Sequence, residues 1–221
     1  MGSDDLFQKR KAKTASDLAR KKVQRDSYER VLIVCEGEKT EPNYFKELVD
    51  CLELNNANVE IDGSCGSSPR SVVKYAKKRY AAEKKDGNEY DKVYCVFDKD
   101  THDSYTAALD EIKKSNPNTT FQVANSVPCF EYWLLLHFEY TTRPYIGNGI
   151  KSACANIIDD LKRYIPDYEK GSTDIYSKIS NETEQAIAYS KRALEQANAG
   201  NTDNPTTHIF ELVEYLQNLN L

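Results

Sequence analysis

The chain has 221 residues, 39% hydrophobic and 29% charged, which is enough to bury a substantial core and places it among globular proteins. A net charge of −5 excludes a protein that coats nucleic acid by bulk electrostatics and leaves only local basic patches for that purpose. No apolar run reaches the ~18–20 residues of a transmembrane helix, and the polar N-terminus lacks a signal-peptide core.

Six cysteines, Cys35, Cys51, Cys65, Cys95, Cys129 and Cys154, show no CxxC pair and no zinc-like spacing. The expectation is a cytoplasmic protein without membrane association, its thiols reduced and mostly buried.

Residues 1–29 form a basic arm, with Lys9, Arg10, Lys11, Lys13, Arg20, Lys21, Lys22 and Arg25 among few large apolar residues. Such an arm is either solvated or binds phosphates. Then comes an unbroken apolar run, Val31, Leu32, Ile33, Val34 and Cys35, the mark of a strand buried on both faces of a parallel sheet. It ends abruptly in Glu36. Gly37 permits a tight turn, and Thr40 is placed to cap a helix that has Pro42 in its first turn. Apolar positions Tyr44, Phe45, Leu48, Val49 and Leu52 make one stripe of that helix, which extends to about residue 54.

A short strand at 57–61 and a loop at 62–68 lead to a helix over 69–84. Its Val72, Val73, Ala76 and Tyr80 face inward, and Arg70, Lys74, Lys77, Lys78 and Arg79 face outward. Asp86, Gly87 and Asn88 break it. A second apolar strand, 92–97, ends in Asp98-Lys99-Asp100. A helix over 104–114, capped by Asp103 or Thr101, a strand over 119–124, a turn at 125–128 and a very apolar helix over 129–138 complete the unit.

Strict alternation of strand and helix predicts an α/β fold with a four-stranded, mainly parallel sheet, order 2-1-3-4, and helices on both faces. The topological switch then lies between strands 1 and 3, where Glu36 and Asp98 end their strands. The α/β domain spans 30–140. Helices at about 152–164, 182–196 and 208–219 form a helical subdomain over 141–221, packed beside the sheet.

Three carboxylates at one sheet edge repel one another unless a cation or protons neutralise them. Glu36, Asp98 and Asp100, with no His/Cys cluster nearby, are therefore candidate ligands of Mg²⁺ or Mn²⁺, ions that serve phosphoryl chemistry. Glu36 is also a candidate general acid or base. Lys39, in the turn, is placed to hold a phosphate beside a helix N-terminus, and Arg70 and Lys74 are further nucleic-acid contacts. Glu131, in the first turn of the helix after strand 4, is a candidate catalytic residue or outer ligand, or a helix-start acid. Glu38 and Glu41 read as solvated or as part of the helix start. His137 reads as a core histidine, and His102 as a loop residue. There is no catalytic-triad, P-loop or dinucleotide signature.

The strand ending in Glu and the strand ending in Asp-x-Asp together resemble the Toprim metal site of topoisomerases, primases and overcoming-lysogenization-type nucleases. More closely, Val-Cys-Glu-Gly-Glu-Lys-Thr-Glu-Pro-Asn-Tyr-Phe (34–45), Phe-Asp-Lys-Asp (97–100) and Cys-Phe-Glu-Tyr-Trp-Leu-Leu-Leu-His-Phe (129–138) look like the RloB family, over nearly the whole chain. That resemblance implies a Toprim-like fold and a metal-dependent nuclease of bacterial phage defence. Glu36, Asp98 and Asp100 fall on the motif positions. It also implies an AAA-type or ABC-type ATPase partner and a nucleic-acid substrate, DNA or RNA, tRNA included. A catalytically inactive subunit that binds nucleic acid or a partner is the competing expectation, and self-association stays open.

Overall fold

The computed structural model describes residues 29–54, 58–99, 103–117 and 119–219. Most of the basic arm, Asp100, Thr101 and His102 therefore lie outside the described residues. Five strands form one sheet: β1 (Val31–Cys35), β2 (Val59–Asp62), β3 (Lys92–Asp98), β4 (Phe121–Val127) and β5 (Thr206–Thr207), in the order β2-β1-β3-β4-β5. The first four are parallel, and β5 runs antiparallel to the end of β4, pairing Ser126 with Thr207 and Val127 with Thr206. The four-stranded expectation is corrected accordingly. Two threonines carry no periodicity, so β5 arises only because the returning chain meets the free edge of β4.

Alternation along the strands divides the core by sheet face, since successive side chains point to opposite sides. Val31, Ile33 and Cys35 of β1 enter one apolar cluster with α1 (Thr40–Cys51), α5 (Ala153–Leu161) and α8 (Ile209–Asn218). Leu32 and Val34 enter a second cluster with α2 (Pro69–Lys85) and α3 (Tyr105–Lys113). Every β1 side chain is fully buried, which is why the strand reads as an unbroken apolar run.

Several boundaries differ from expectation. Helix α1 starts at Thr40 after Lys39, with no side-chain cap, so Thr40 is its first residue and not its cap. Ser68 caps α2 by accepting from Ser71 N, and Ser71 Oγ accepts from Ser68 N. Asp103 does not cap α3, whose N-cap is Ser104 without a side-chain bond.

Residues 125–127 of the turn expected at 125–128 are instead the last part of β4. The apolar helix expected over 129–138 shortens to α4 (Glu131–Leu135), flanked by i→i+3 turns such as Trp133 N to Phe130 O and His137 N to Leu134 O. Because Tyr132 through Leu136 are all buried, tertiary contacts rather than an amphipathic face decide the backbone there. Two short elements, α6 (Ile175–Ile179) and a 3₁₀ turn (Ser180–Glu182), precede α7 (Thr183–Ala199). No described helix is long and apolar enough to cross a membrane, and all six cysteines are free thiols.

Candidate functional site

The carboxyl ends of β1 and β3 open onto a cleft of about 360 Å³, lined by Glu36, Glu41, Asp98 and Glu131, the turn 37–40, Ser67, Phe130, Cys154 and Lys170. β1 and β3 are neighbours, and Glu36 N donates to Val96 O at 2.9 Å. The Glu36 carboxylate turns back over the end of β3, where its Oε2 accepts from Asp98 N at 3.1 Å. Glu36 and Asp98 thus meet at the switch point of the sheet.

Two glycines let the loops close over this point. A Cβ on Gly63 would sit 2.5 Å from the Gly37 carbonyl oxygen and 2.8 Å from Pro42 Cγ, and a Cβ on Gly37 would collide with the Glu41 carboxylate. Glu41 therefore leans back across the turn. It is 7% exposed, so of the two readings, solvated or part of the helix start, the second holds. Helical side chains tilt toward the N-terminus, which returns an acid in the first turn of α1 to the strand end it follows.

Glu131 forms the floor at 1% exposure. Its Oε1 accepts from Tyr168 Oη at 3.1 Å and pairs with Lys170 Nζ at 3.2 Å, while its Oε2 is buried without a hydrogen-bond partner. Tyr168 and Lys170 belong to the loop after α5, which is pinned onto α1: Asn43 Nδ2 donates to Gly171 O at 2.9 Å. Gly171 has φ +86°, and a Cβ there would lie 3.0 Å from Lys39 Cβ. Glycine is thus required both for the turn and for the close approach.

The electrostatics follow from crowding acids in a recess. Burial, reinforced by Glu41 and Glu131, holds the Asp98 carboxyl well above the usual carboxylate range. Burial, with Glu131 and Glu36 adding to it against Lys170, pushes Glu41 up to about 7. Burial opposes the Lys170 ammonium, but Glu131 outweighs it and raises the lysine above its ordinary value. Among the described residues, no three His, Cys, Asp or Glu side chains gather closely enough to hold a metal ion.

Of the residues singled out in the sequence, Glu36, Asp98, Glu131 and Lys39 come together at this cleft, Lys39 exposed on its rim. Asp100 lies outside the described residues. Arg70 and Lys74 sit exposed on α2, and Ser67, just before its cap, lines the cleft. His137 is fully buried, one ring nitrogen 3.1 Å from Trp133 O and Nε2 without a partner.

Sequence reasoning missed Tyr168 and Lys170, and gave Glu41 only the weaker place of a solvated or helix-start acid. The helix-start position of Glu41 was a usable signal. Lys170 had none, since a lysine in a loop far along the chain looks like any solvated lysine.

The family model for RloB-like proteins matches residues 31–216, every element from β1 into α8. No curated protein and no solved structure gives a significant match. The matched span carries the whole cleft, from Glu36 to Lys170, and on that match the chain belongs to the RloB-like family.

Proposed function

We propose that this protein is a Toprim-like, Mg²⁺- or Mn²⁺-dependent nuclease that cleaves phosphodiester bonds, and that it works in antiphage defence with a partner ATPase. The observation that carries the chemistry is the convergence of Glu36, Glu41, Asp98 and Glu131 on one recess. The defence role and the partner rest on the family resemblance alone.

The donor set suits a hard divalent cation, because carboxylate oxygens dominate it. The partnerless, buried Oε2 of Glu131 is an atom that such an ion, or water on it, would satisfy. Glu36 and Asp98 would hold the ion with Asp100 and, directly or through water, Glu131. When bound, the ion supplies charge neutralisation at the phosphate and a more acidic attacking water. Lys170 and Lys39 offset the excess negative charge as a phosphate enters. Glu41, which burial and its acid neighbours raise to about 7 in the metal-free recess, is the further candidate to carry a proton there.

A second reading, a catalytically silent subunit with the same fold, is favoured by the lack of a ready-made three-ligand group among the described residues. Asp98→Asn separates the two. In the nuclease reading, saturating Mn²⁺ raises the melting temperature of the wild type through mass action. The variant, relieved of one buried charge, melts at or above the metal-free wild type but gains little from Mn²⁺, and cleavage falls by a factor of ~10² or more, several kcal/mol of lost stabilisation. Equal Mn²⁺-induced shifts in both proteins, without cleavage by either, would establish the silent reading.

A further inference from the structure

The four acids of the cleft repel phosphates, so a nucleic acid that reaches them must be held by cations just outside. The helix that begins at the cleft mouth supplies them. Ser67 lines the cleft, Ser68 caps α2, and the first fourteen residues of α2, 69–82, contain no Asp or Glu. Its inner face, Val72, Val73, Ala76 and Tyr80, is buried in the second apolar cluster.

Two of the basic residues are committed elsewhere. Lys77 pairs with Glu111 at 3.2 Å, and Arg79 bridges Asp62 at 2.9 Å and Glu60. Arg70, Lys74 and Lys78 remain exposed, and among the described residues none of the three is in an ion pair. At four-residue intervals they form one ridge with steps of about 6 Å, from the ~1.5 Å rise per helical residue. The ridge runs about 12 Å away from the cleft mouth, a length that fits three consecutive phosphates of one extended strand.

The shape of the cleft selects the form of nucleic acid. The cleft is small, about 360 Å³, and its carboxylates Glu41 and Glu131 are buried. A duplex, broader than its ~12 Å major groove, meets that cleft only at its rim, whereas a single strand can lower a phosphate into it.

We propose that the Arg70–Lys74–Lys78 ridge of α2 is the track along which the backbone of a single-stranded nucleic acid runs into the acidic cleft. This rests on the nuclease reading and adds to it the substrate form and the path.

The test is equilibrium binding of a fluorescent mixed-sequence single-stranded oligonucleotide, and of a duplex of equal length, over a salt series with calcium in place of magnesium to suppress cleavage. A variant with Arg70→Gln, Lys74→Gln and Lys78→Gln is compared with wild type and with a charge-matched control, Lys46→Gln, Lys114→Gln and Lys162→Gln. Each single-strand phosphate contact contributes about 0.7 to the slope of log affinity against log salt. The ridge variant is therefore expected to lose about 2 from the wild-type slope and to bind about 10- to 100-fold more weakly at low salt, with the control close to wild type.

An unchanged slope in the ridge variant, or an equal loss in the control, would overturn the track. Duplex binding as tight as single-strand binding would overturn the single-strand assignment. The ridge variant keeps the Mn²⁺-induced melting shift of the wild type. Loss of the slope in a protein with no such shift would sustain the track and remove the nuclease reading, and the converse result would remove the track alone.

Discussion

At the residue scale, His137 shows how burial without full satisfaction becomes a pH effect. The ring is enclosed beside Trp133, with centroids 4.8 Å apart, and burial pushes its pKa down to about 4. In the unfolded chain it titrates near 6.5. Between these values the unfolded state binds the extra proton, so stability rises with pH and falls on acidification. From pH 7 to pH 5 this residue alone should cost about 2 kcal/mol. Glu41 and Asp98 act in the opposite sense, because carboxyls raised in the folded state take up protons there first. His137→Leu removes the histidine contribution and leaves theirs. The change in urea midpoint from pH 7 to pH 5 should be more favourable in the variant than in wild type by the equivalent of about 2 kcal/mol, and an identical change in both would show that the histidine is not the group responsible.

At the element scale, the β1–turn–α1 unit is where sequence and structure agree most closely, and the reason is physical. A strand buried on both faces must be apolar throughout, so a carboxylate that interrupts it at Glu36 marks the strand end, and the same argument places Asp98 at the end of β3. What the sequence hid was decided by distant contacts. β5 is two threonines that pair only because they reach β4, α4 is trimmed by neighbours on every side, and Lys170 enters the cleft through a loop held by Asn43 and Glu131. Gly37 tests the turn itself. Gly37→Ala inserts a methyl group into the space of the Glu41 carboxylate, an overpacking expected to cost about 1–3 kcal/mol. Thermal melts should record that loss together with a smaller Mn²⁺-induced shift. A variant as stable as wild type, with the full shift, would mean that Glu41 can leave without consequence.

At the scale of the whole molecule, the two halves of the chain share one interior. Ile157, Leu161, Leu212, Val213 and Leu216 are buried in the same cluster as Val31, Ile33 and Phe45, so the sheet has no closed core without the C-terminal helices. A fragment ending at residue 140 would uncover the side of β4 that α8 packs against and the side of α1 that meets α6. Fully burying one such aliphatic side chain is worth about 1.5–3 kcal/mol, and a fold with a net stability of about 5–15 kcal/mol cannot lose several. The fragment is expected to show no cooperative urea transition by circular dichroism, whereas a sharp transition would establish residues 30–140 as an independent unit.

The loop that carries Tyr168, Lys170 and Gly171 touches both halves at once, gripping Glu131 on one side and α1 through Asn43 on the other. Lifting it would strip Glu131 of both its proton donor and its counter-charge, leaving an uncompensated carboxylate at the base of the recess. The seating of this loop and the occupancy of the recess are therefore thermodynamically linked. A ligand that binds more tightly when the loop is seated holds it down, and any surface that captures the lifted loop weakens that ligand by the same factor.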